Sequence, residues 1–200
     1  MITNHVSNFK CIVIGVSAGG IRALPIALSL LPANFPIPVV VVQHVSADSN
    51  NSYFISQLNK RIQLKVKEAD EKEPIMRGYV YIAPVNYHLL VEDDETFSLS
   101  VDAKVNYSRP SIDVLFESAV EVYKSKLIGI ILTGANNDGA KGLKKINQHD
   151  GLAIVQDPKE AESDTMPRAA LAACKADYVL SLEEIAGFLK ELSNNKLNKS

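Results

Sequence analysis

Tryptophan is absent from this sequence, and cysteine is nearly so, with Cys11 and Cys174 the only two. Two isolated cysteines give neither a disulfide framework nor a metal-ligand spacing. Cys11 opens an apolar run and Cys174 lies in an alanine-rich stretch, so both read as small buried apolar residues and the chain as a cytoplasmic one. Long hydrophobic runs are also missing. Val39–Val42 is among the longest, far short of the roughly 20 apolar residues that a membrane-spanning helix needs, and no membrane insertion is expected. The first ten residues are polar, unlike a secretory leader. A surplus of either charge is lacking too. Lys and Arg number 21 and Asp and Glu 23, a net charge of -2, which gives no electrostatic reason to expect nucleic acid as a partner. No His, Asp, Glu or Cys cluster has metal-ligand spacing, so neither metal nor cofactor is expected.

What is present alternates between short β-branched runs and helical periods. Strands are expected at Cys11–Val16, Val39–Val42, Leu127–Leu132, Leu152–Val155 and Tyr178–Leu180. Helices are expected at Gly19–Leu31, Ser52–Ile62, Pro110–Tyr123, Gly139–Gln148, Pro167–Cys174 and Leu182–Leu192. Short strands at Leu64–Glu68, Tyr79–Ile82, His88–Val91 and Phe97–Val101 fill the middle, and Tyr79–Val101 reads as a meander or hairpin. The fold class is therefore α/β: a doubly wound, mainly parallel sheet with helices on both faces and a small antiparallel hairpin insertion. One domain is expected over residues 9–192, with a frayed N-terminus over 1–8 and a polar tail over 193–200. Neither a repeat nor a linker divides it.

In such sheets ligands bind beyond the carboxyl ends of the strands. Three strands end there in reactive residue types. The first runs into Gly15-Val16-Ser17-Ala18-Gly19-Gly20, the second into Gln43-His44, and the LIGIIL strand into Thr133-Gly134-Ala135-Asn136-Asn137-Asp138-Gly139. A hydroxyl nucleophile, a base near neutrality and a carboxylate to orient it are what acyl transfer needs, so Ser17, His44 and Asp138 form a candidate catalytic triad. Gly15-x-Ser17-x-Gly19 matches the pattern of a nucleophile elbow, and the following helix start offers N–H groups to an oxyanion. The order Ser–His–Asp differs from the usual Ser–Asp–His of α/β-hydrolases. A nucleotide loop is the competing reading of the glycine-rich turn. Ser17 replaces its central glycine, no acidic residue ends the second strand, and the P-loop lysine is missing. Taken singly, His44 reads as a strand-end histidine and Asp138 as an N-cap for the helix that follows it. His88 reads as a surface or supporting residue.

The segments IGVSAGG at Ile14–Gly20, VVVQH at Val40–His44, YIAP at Tyr81–Pro84 with His88, RPSIDVLF at Arg109–Phe116, LTGANNDGA at Leu132–Ala140, QDP at Gln156–Pro158 and MPRAA at Met166–Ala170 occur in order. Together they make the chain, from about Phe9 to Leu192, resemble the catalytic domain of the CheB-type chemotaxis protein-glutamate methylesterases. The resemblance implies hydrolysis of glutamate γ-methyl esters on the cytoplasmic domain of methyl-accepting chemoreceptors, with deamidation of receptor glutamines as a second activity. It implies Ser17 as nucleophile, His44 as general base and acid, and Asp138 as orienting carboxylate. Backbone N–H groups of Ala18, Gly19 and Ala135 would hold the oxyanion. Gln43 and Arg109 are candidates for substrate contact or for structural bonds, and Arg22 and Arg168 for attraction to an acidic receptor surface. Two departures from the family pattern stand out: Ala18 replaces a threonine, and Ala135-Asn136 replaces Met-Gly. No receiver domain is expected ahead of the first strand, so the chain is either a stand-alone, ungated form or one controlled by a separate regulatory chain, and a receptor methyltransferase is a further candidate partner. Two other readings remain: a non-catalytic module that binds receptors or a methyltransferase, and an esterase with another substrate.

Overall fold

The computed structural model describes residues 9–45 and 51–197, with side chains to Ser193. The expected frayed segment 1–8 lies outside the described residues. Seven strands form one parallel sheet in the order β3-β4-β2-β1-β7-β8-β9, and β5 and β6 pair antiparallel beside it. The strands are β1 (Cys11–Val16), β2 (Val39–Gln43), β3 (Lys65–Glu68), β4 (Tyr79–Ile82), β5 (His88–Val91), β6 (Phe97–Ser100), β7 (Leu127–Ile131), β8 (Leu152–Gln156) and β9 (Tyr178–Leu180). The α-helices are α1 (Gly20–Ala27), α2 (Ser52–Asn59), α3 (Ile112–Tyr123), α4 (Ala140–Gln148), α5 (Thr165–Ala173) and α6 (Leu182–Leu197).

The period of two in the strands divides the core into two layers. Ile12, Ile14, Val16, Val39 and Val41 face α1, α2 and α6, where Leu24, Leu28, Phe54, Leu58, Ile185 and Leu189 meet them. Cys11, Val13, Val40 and Val42 face the other way, against Leu115 and Phe116 of α3, Leu143 and Ile146 of α4, and Leu89 and Phe97 of the hairpin. β1 and β2 are buried along their whole length, as central parallel strands covered on both faces must be.

The expected α/β architecture is present, with differences at element ends and in the middle third. Tyr79–Ile82 does not belong to a meander: it pairs parallel with β2 and β3, and only β5 and β6 form the antiparallel insertion. A short apolar run such as YVYI identifies a strand but not its partner, which is why the meander or hairpin reading fails for this strand. α1 ends at Ala27 rather than Leu31, with Pro25 inside it. α2 ends at Asn59 rather than Ile62. α6 runs on to Leu197, so the expected polar tail begins as helix.

The chain leaves β1 towards β2 on one side and returns as β7 on the other. That reversal beside β1 is the topological switch point, where the crevice of a doubly wound sheet opens. Registers Val16↔Gln43 and Gly15↔Ile131 align the ends of these three strands.

Candidate active site

Hydrogen bonding continues one residue past the strand ends and positions the residues beyond them. His44 N donates to Val16 O at 3.0 Å, and Ser17 N donates to Thr133 O at 3.0 Å. Ser17 and His44 are thereby set side by side. After Ser17 the chain turns sharply into α1 through Gly19, whose φ of 85° lies in the left-handed region that glycine occupies without strain. A Cβ there would also come within 2.9 Å of Glu162 Cβ. Gln43 ties the two strand ends together: its Nε2 donates to Ser17 O at 3.0 Å and to His44 O at 2.8 Å. Thr133 Oγ1 bonds to Ala18 O at 2.9 Å, and Thr133 N donates to Gln156 Oε1 at 2.8 Å.

His44 Nε2 lies 2.9 Å from Asp138 Oδ2, with the Asp138 side chain fully buried and that of His44 11% exposed. Asp138 accepts four further hydrogen bonds. Oδ2 takes the Ile112 N–H at 2.7 Å; Oδ1 takes Asn106 Nδ2 at 2.9 Å, Ser111 Oγ at 2.8 Å and the Asp113 N–H at 3.2 Å. Burial pushes the Asp138 carboxyl up, but the bonds from His44, Asn106 and Ile112 outweigh it and hold the group below its ordinary value. The carboxylate is thus an acceptor in every bond it makes, which puts a proton on His44 Nε2.

Asp138 does not cap the helix that follows it, as its position in sequence suggested. The N-cap of α4 is Gly139 without a side-chain bond, and Asp138 instead meets the N-terminus of α3, where a helix start favours negative charge. Gly15 makes that approach possible. A Cβ at Gly15 would fall 2.4 Å from Ile112 Cγ2, so only a bare Cα lets α3 sit this close to β1.

Sequence reasoning missed several supporting residues. Asn106 sits at φ 49° in a two-residue turn closed by the Val105–Ser108 bridge, and its amide spans Asp138 and Asp113 Oδ2. Asp113 is pushed up from the usual carboxylate range by burial first, with the neighbouring Asp138 charge adding to it. Ser111 caps α3 and bonds to Asp138. His88, which the sequence offered as a surface or supporting residue, is buried and not on the surface, with Nε2 3.1 Å from Ala103 O and Nδ1 accepting the Ser111 N–H at 3.2 Å, so it supports Ser111 from behind. The signal was a serine just ahead of a helical stripe and an Asn-Tyr pair followed by Ser108 and Arg109; neither says which carboxylate it will serve.

Among the described residues, the N–H groups of Ala18, Gly19 and Ala135 carry no hydrogen bond. Ser17 Oγ bonds to none of the described residues, and the ring of His44 makes its second bond to Asn136, whose Nδ2 lies 3.1 Å from Nδ1. Arg109 Nη1 donates to Val101 O at 2.6 Å and Asp102 O at 3.0 Å, which anchors the segment before α3. Arg22 and Arg168 are exposed and pair with Glu162 and Asp164.

Two openings flank Ser17 and His44. A groove of about 350 Å³ is lined by Ser17, Gly19, Ile21, Gln43, Tyr53 and Phe54 among others. A recess of about 90 Å³ beside His44 is lined by Asn86, Lys104, Tyr107 and Arg109 among others. A larger cavity, about 740 Å³, is lined by residues such as Lys126, Asp150, Gly151 and Asp177. These lie at the starts of β7 and β8 and next to β9, so that cavity is remote from this chemistry. No group of His, Cys, Asp and Glu among the described residues could hold a metal ion, and no described helix is long and apolar enough to cross a membrane.

Fold and residue set define a class: a doubly wound α/β protein with the residue types of a serine hydrolase at its switch point. The model of the CheB methylesterase family matches residues 12–189, and the chain belongs to that family. A Leptospira interrogans protein, provisionally named protein-glutamate methylesterase/protein-glutamine glutaminase, is 58% identical over 192 residues, covering 96% of this chain and 99% of its own. The protein-glutamate methylesterase/protein-glutamine glutaminase of Thermotoga maritima is 39% identical over 194 residues, covering 96% of this chain and 56% of its own. The crystal structure of the Thermotoga maritima CheB methylesterase catalytic domain superposes with a TM-score of 0.87 at 38% identity, covering 92% of this chain and 98% of that one.

Proposed function

We propose that this protein hydrolyses glutamate γ-methyl esters on the cytoplasmic domain of chemoreceptors, and the equivalent glutamine amides, with Ser17, His44 and Asp138 as its triad. The observation that carries the reading is the buried His44 Nε2–Asp138 Oδ2 bond at the strand edge that also bears Ser17. Because Asp138 holds Nε2, the nitrogen that receives the Ser17 proton is Nδ1. Ser17 Oγ bonds to the ester carbonyl carbon as its proton passes to Nδ1. The oxyanion is held by the N–H groups of Ala18, Gly19 and Ala135. The C–O bond to methanol breaks, and methanol leaves with the proton from His44. Water then attacks the acyl-enzyme with His44 as base, which restores Ser17 and releases the glutamate carboxylate. With a glutamine substrate, ammonia is the leaving group. Asp138 keeps the imidazole oriented and stabilises its cationic form. Exposed Tyr53 and Tyr107, one on each side of the site, suit a protein surface better than a small molecule in a deep pocket.

Methanol release from methylated receptor cytoplasmic domains tests the reading, comparing the native chain with Ser17→Ala. Release by the native chain alone is the expected result. Equal release from both excludes Ser17 as nucleophile, and no release from either favours a module that binds receptors or a methyltransferase.

A further inference from the structure

Asn136 touches the proposed base and has no part in the hydrolytic steps. Its Nδ2 lies 3.1 Å from His44 Nδ1, and its Oδ1 accepts the Asp138 N–H at 3.0 Å. These two bonds determine each other. The Asp138 N–H requires the amide oxygen on its side, so the NH2 group must face His44, where it can only donate. Nδ1 therefore presents a lone pair, which agrees with the proton that Asp138 places on Nε2. An amide turned the other way would set NH2 against the Asp138 N–H and oxygen against the Nδ1 lone pair.

We infer that Asn136 is a latch on the general base: in the resting site its amide holds His44 in the Nε2–H tautomer and occupies the Nδ1 lone pair that must receive the Ser17 proton. The inference rests on the proposed triad. Among the described residues, the ring makes two hydrogen bonds and neither goes to Ser17. Proton transfer thus begins with the amide leaving Nδ1. The geometry leaves that open: Asn136 is half-buried between exposed Ala135 and Asn137, and what holds its side chain is the pair of bonds to His44 and Asp138. Asn136 is a positioning residue, since it sets which nitrogen is basic and when that nitrogen is available.

The test needs no receptor. The rate of Ser17 modification by a fluorophosphonate is compared among the native chain, Asn136→Ala and Asn136→Asp, and the imidazole nitrogens of the native resting protein are read by 15N NMR. Deleting the amide removes one neutral hydrogen bond from the base, so Asn136→Ala should react roughly 2- to 12-fold faster. Asn136→Asp offers only acceptors, favours a proton on Nδ1 and should react more slowly than the native chain. The NMR spectrum should show the ring proton on Nε2 and a hydrogen-bonded, unprotonated Nδ1. An Asn136→Ala variant that reacts no faster than the native chain makes the residue a plain support and overturns the latch, as does a proton on Nδ1 in the native ring. If no form reacts, the triad reading has failed, and the position of the ring proton alone decides the state of Nδ1.

Discussion

Asp138→Asn exchanges one carboxylate oxygen for an NH2 group and should damage both stability and turnover. The carboxylate oxygens differ in load: Oδ1 accepts from Asn106, Ser111 and the Asp113 N–H, and Oδ2 accepts from His44 and the Ile112 N–H. An amide has one oxygen, and placing it on the Oδ1 side keeps three bonds rather than two. The new NH2 group then faces the Ile112 N–H, previously bonded at 2.7 Å, and His44 Nε2. Leaving the buried Ile112 N–H without an acceptor costs about 1–3 kcal/mol. For a chain of this size that lowers Tm by roughly 2–12 °C. At His44 the NH2 group can only donate, so the ring must present its lone pair at Nε2 and carry its proton on Nδ1. Nδ1, the nitrogen proposed to take the Ser17 proton, is then no base. The same exchange in another Ser–His–Asp triad lowers turnover on the order of 10⁴-fold, and a loss of that order is expected here. Calorimetry checks the first part, and fluorophosphonate labelling with methanol release checks the second. An Asp138→Asn chain that keeps turnover within about tenfold of native would refute the orienting role, because a tautomer change costs far more.

Asn106→Gly keeps the left-handed turn at φ 49° but deletes the amide between the two carboxylates, so it should cost about 1–3 kcal/mol in urea unfolding and lower turnover, while a neutral result would make the bridge dispensable. Asp138 is the buried carboxylate that contributes to the loss of stability at low pH. A carboxyl held below its unfolded value of 3.8 contributes stability that is full above that value and is lost as the pH falls through its lower folded value. Asp113 is raised and works in the opposite sense, its cost being relieved as the pH falls towards its folded value. The urea midpoint of the native chain should therefore fall below pH about 4 more steeply than that of Asp138→Asn; parallel curves would show that Asp138 is not the group responsible. Gly15→Ala sets a methyl 2.4 Å from Ile112 Cγ2 in a fully buried contact and should cost about 1–3 kcal/mol, with turnover falling as α3 is pushed away from Asp138. Combining it with Ile112→Ala should recover part of the loss, and simple additivity of the two would contradict the steric argument.

That Ser17, His44 and Asp138 lie on one edge could be read because each is a reactive residue type following an apolar run, and in a parallel sheet the ends of such runs share an edge. The groups that tune them were not. Asn106, Ser111 and Ile112 reach Asp138 across 32, 27 and 26 residues of sequence, and nothing local to any of them names that partner. Asp138 shows the limit best. Read locally, an aspartate before a glycine and a helix is an N-cap; in three dimensions it caps another helix, because a missing side chain at Gly15 lets α3 descend to it. The middle third failed for a related reason. The pattern of Tyr79–Ile82 records that it is a strand, but its parallel pairing with β2 depends on which neighbours remain unpaired once the sheet forms.

The unusual order Ser–His–Asp stems from this topology rather than from the chemistry. A triad needs its three side chains together, which a parallel sheet achieves most directly on neighbouring strands about 4.8 Å apart. Here β1 lies between β2 and β7, so a nucleophile on the central strand has a neighbour on each side. The sheet grows first towards β2 and returns to β7 after the switch, and the base therefore precedes the acid in sequence. Exchanging them would put the carboxylate at the end of β2, away from the α3 N–H groups that hold Asp138 ionised. It would put the imidazole in a buried position where four other donors, from Asn106, Ser111, Ile112 and Asp113, converge on an acceptor. The helix that packs beside Gly15 thus settles which side carries the acid, and the order of strands settles where that falls in the chain.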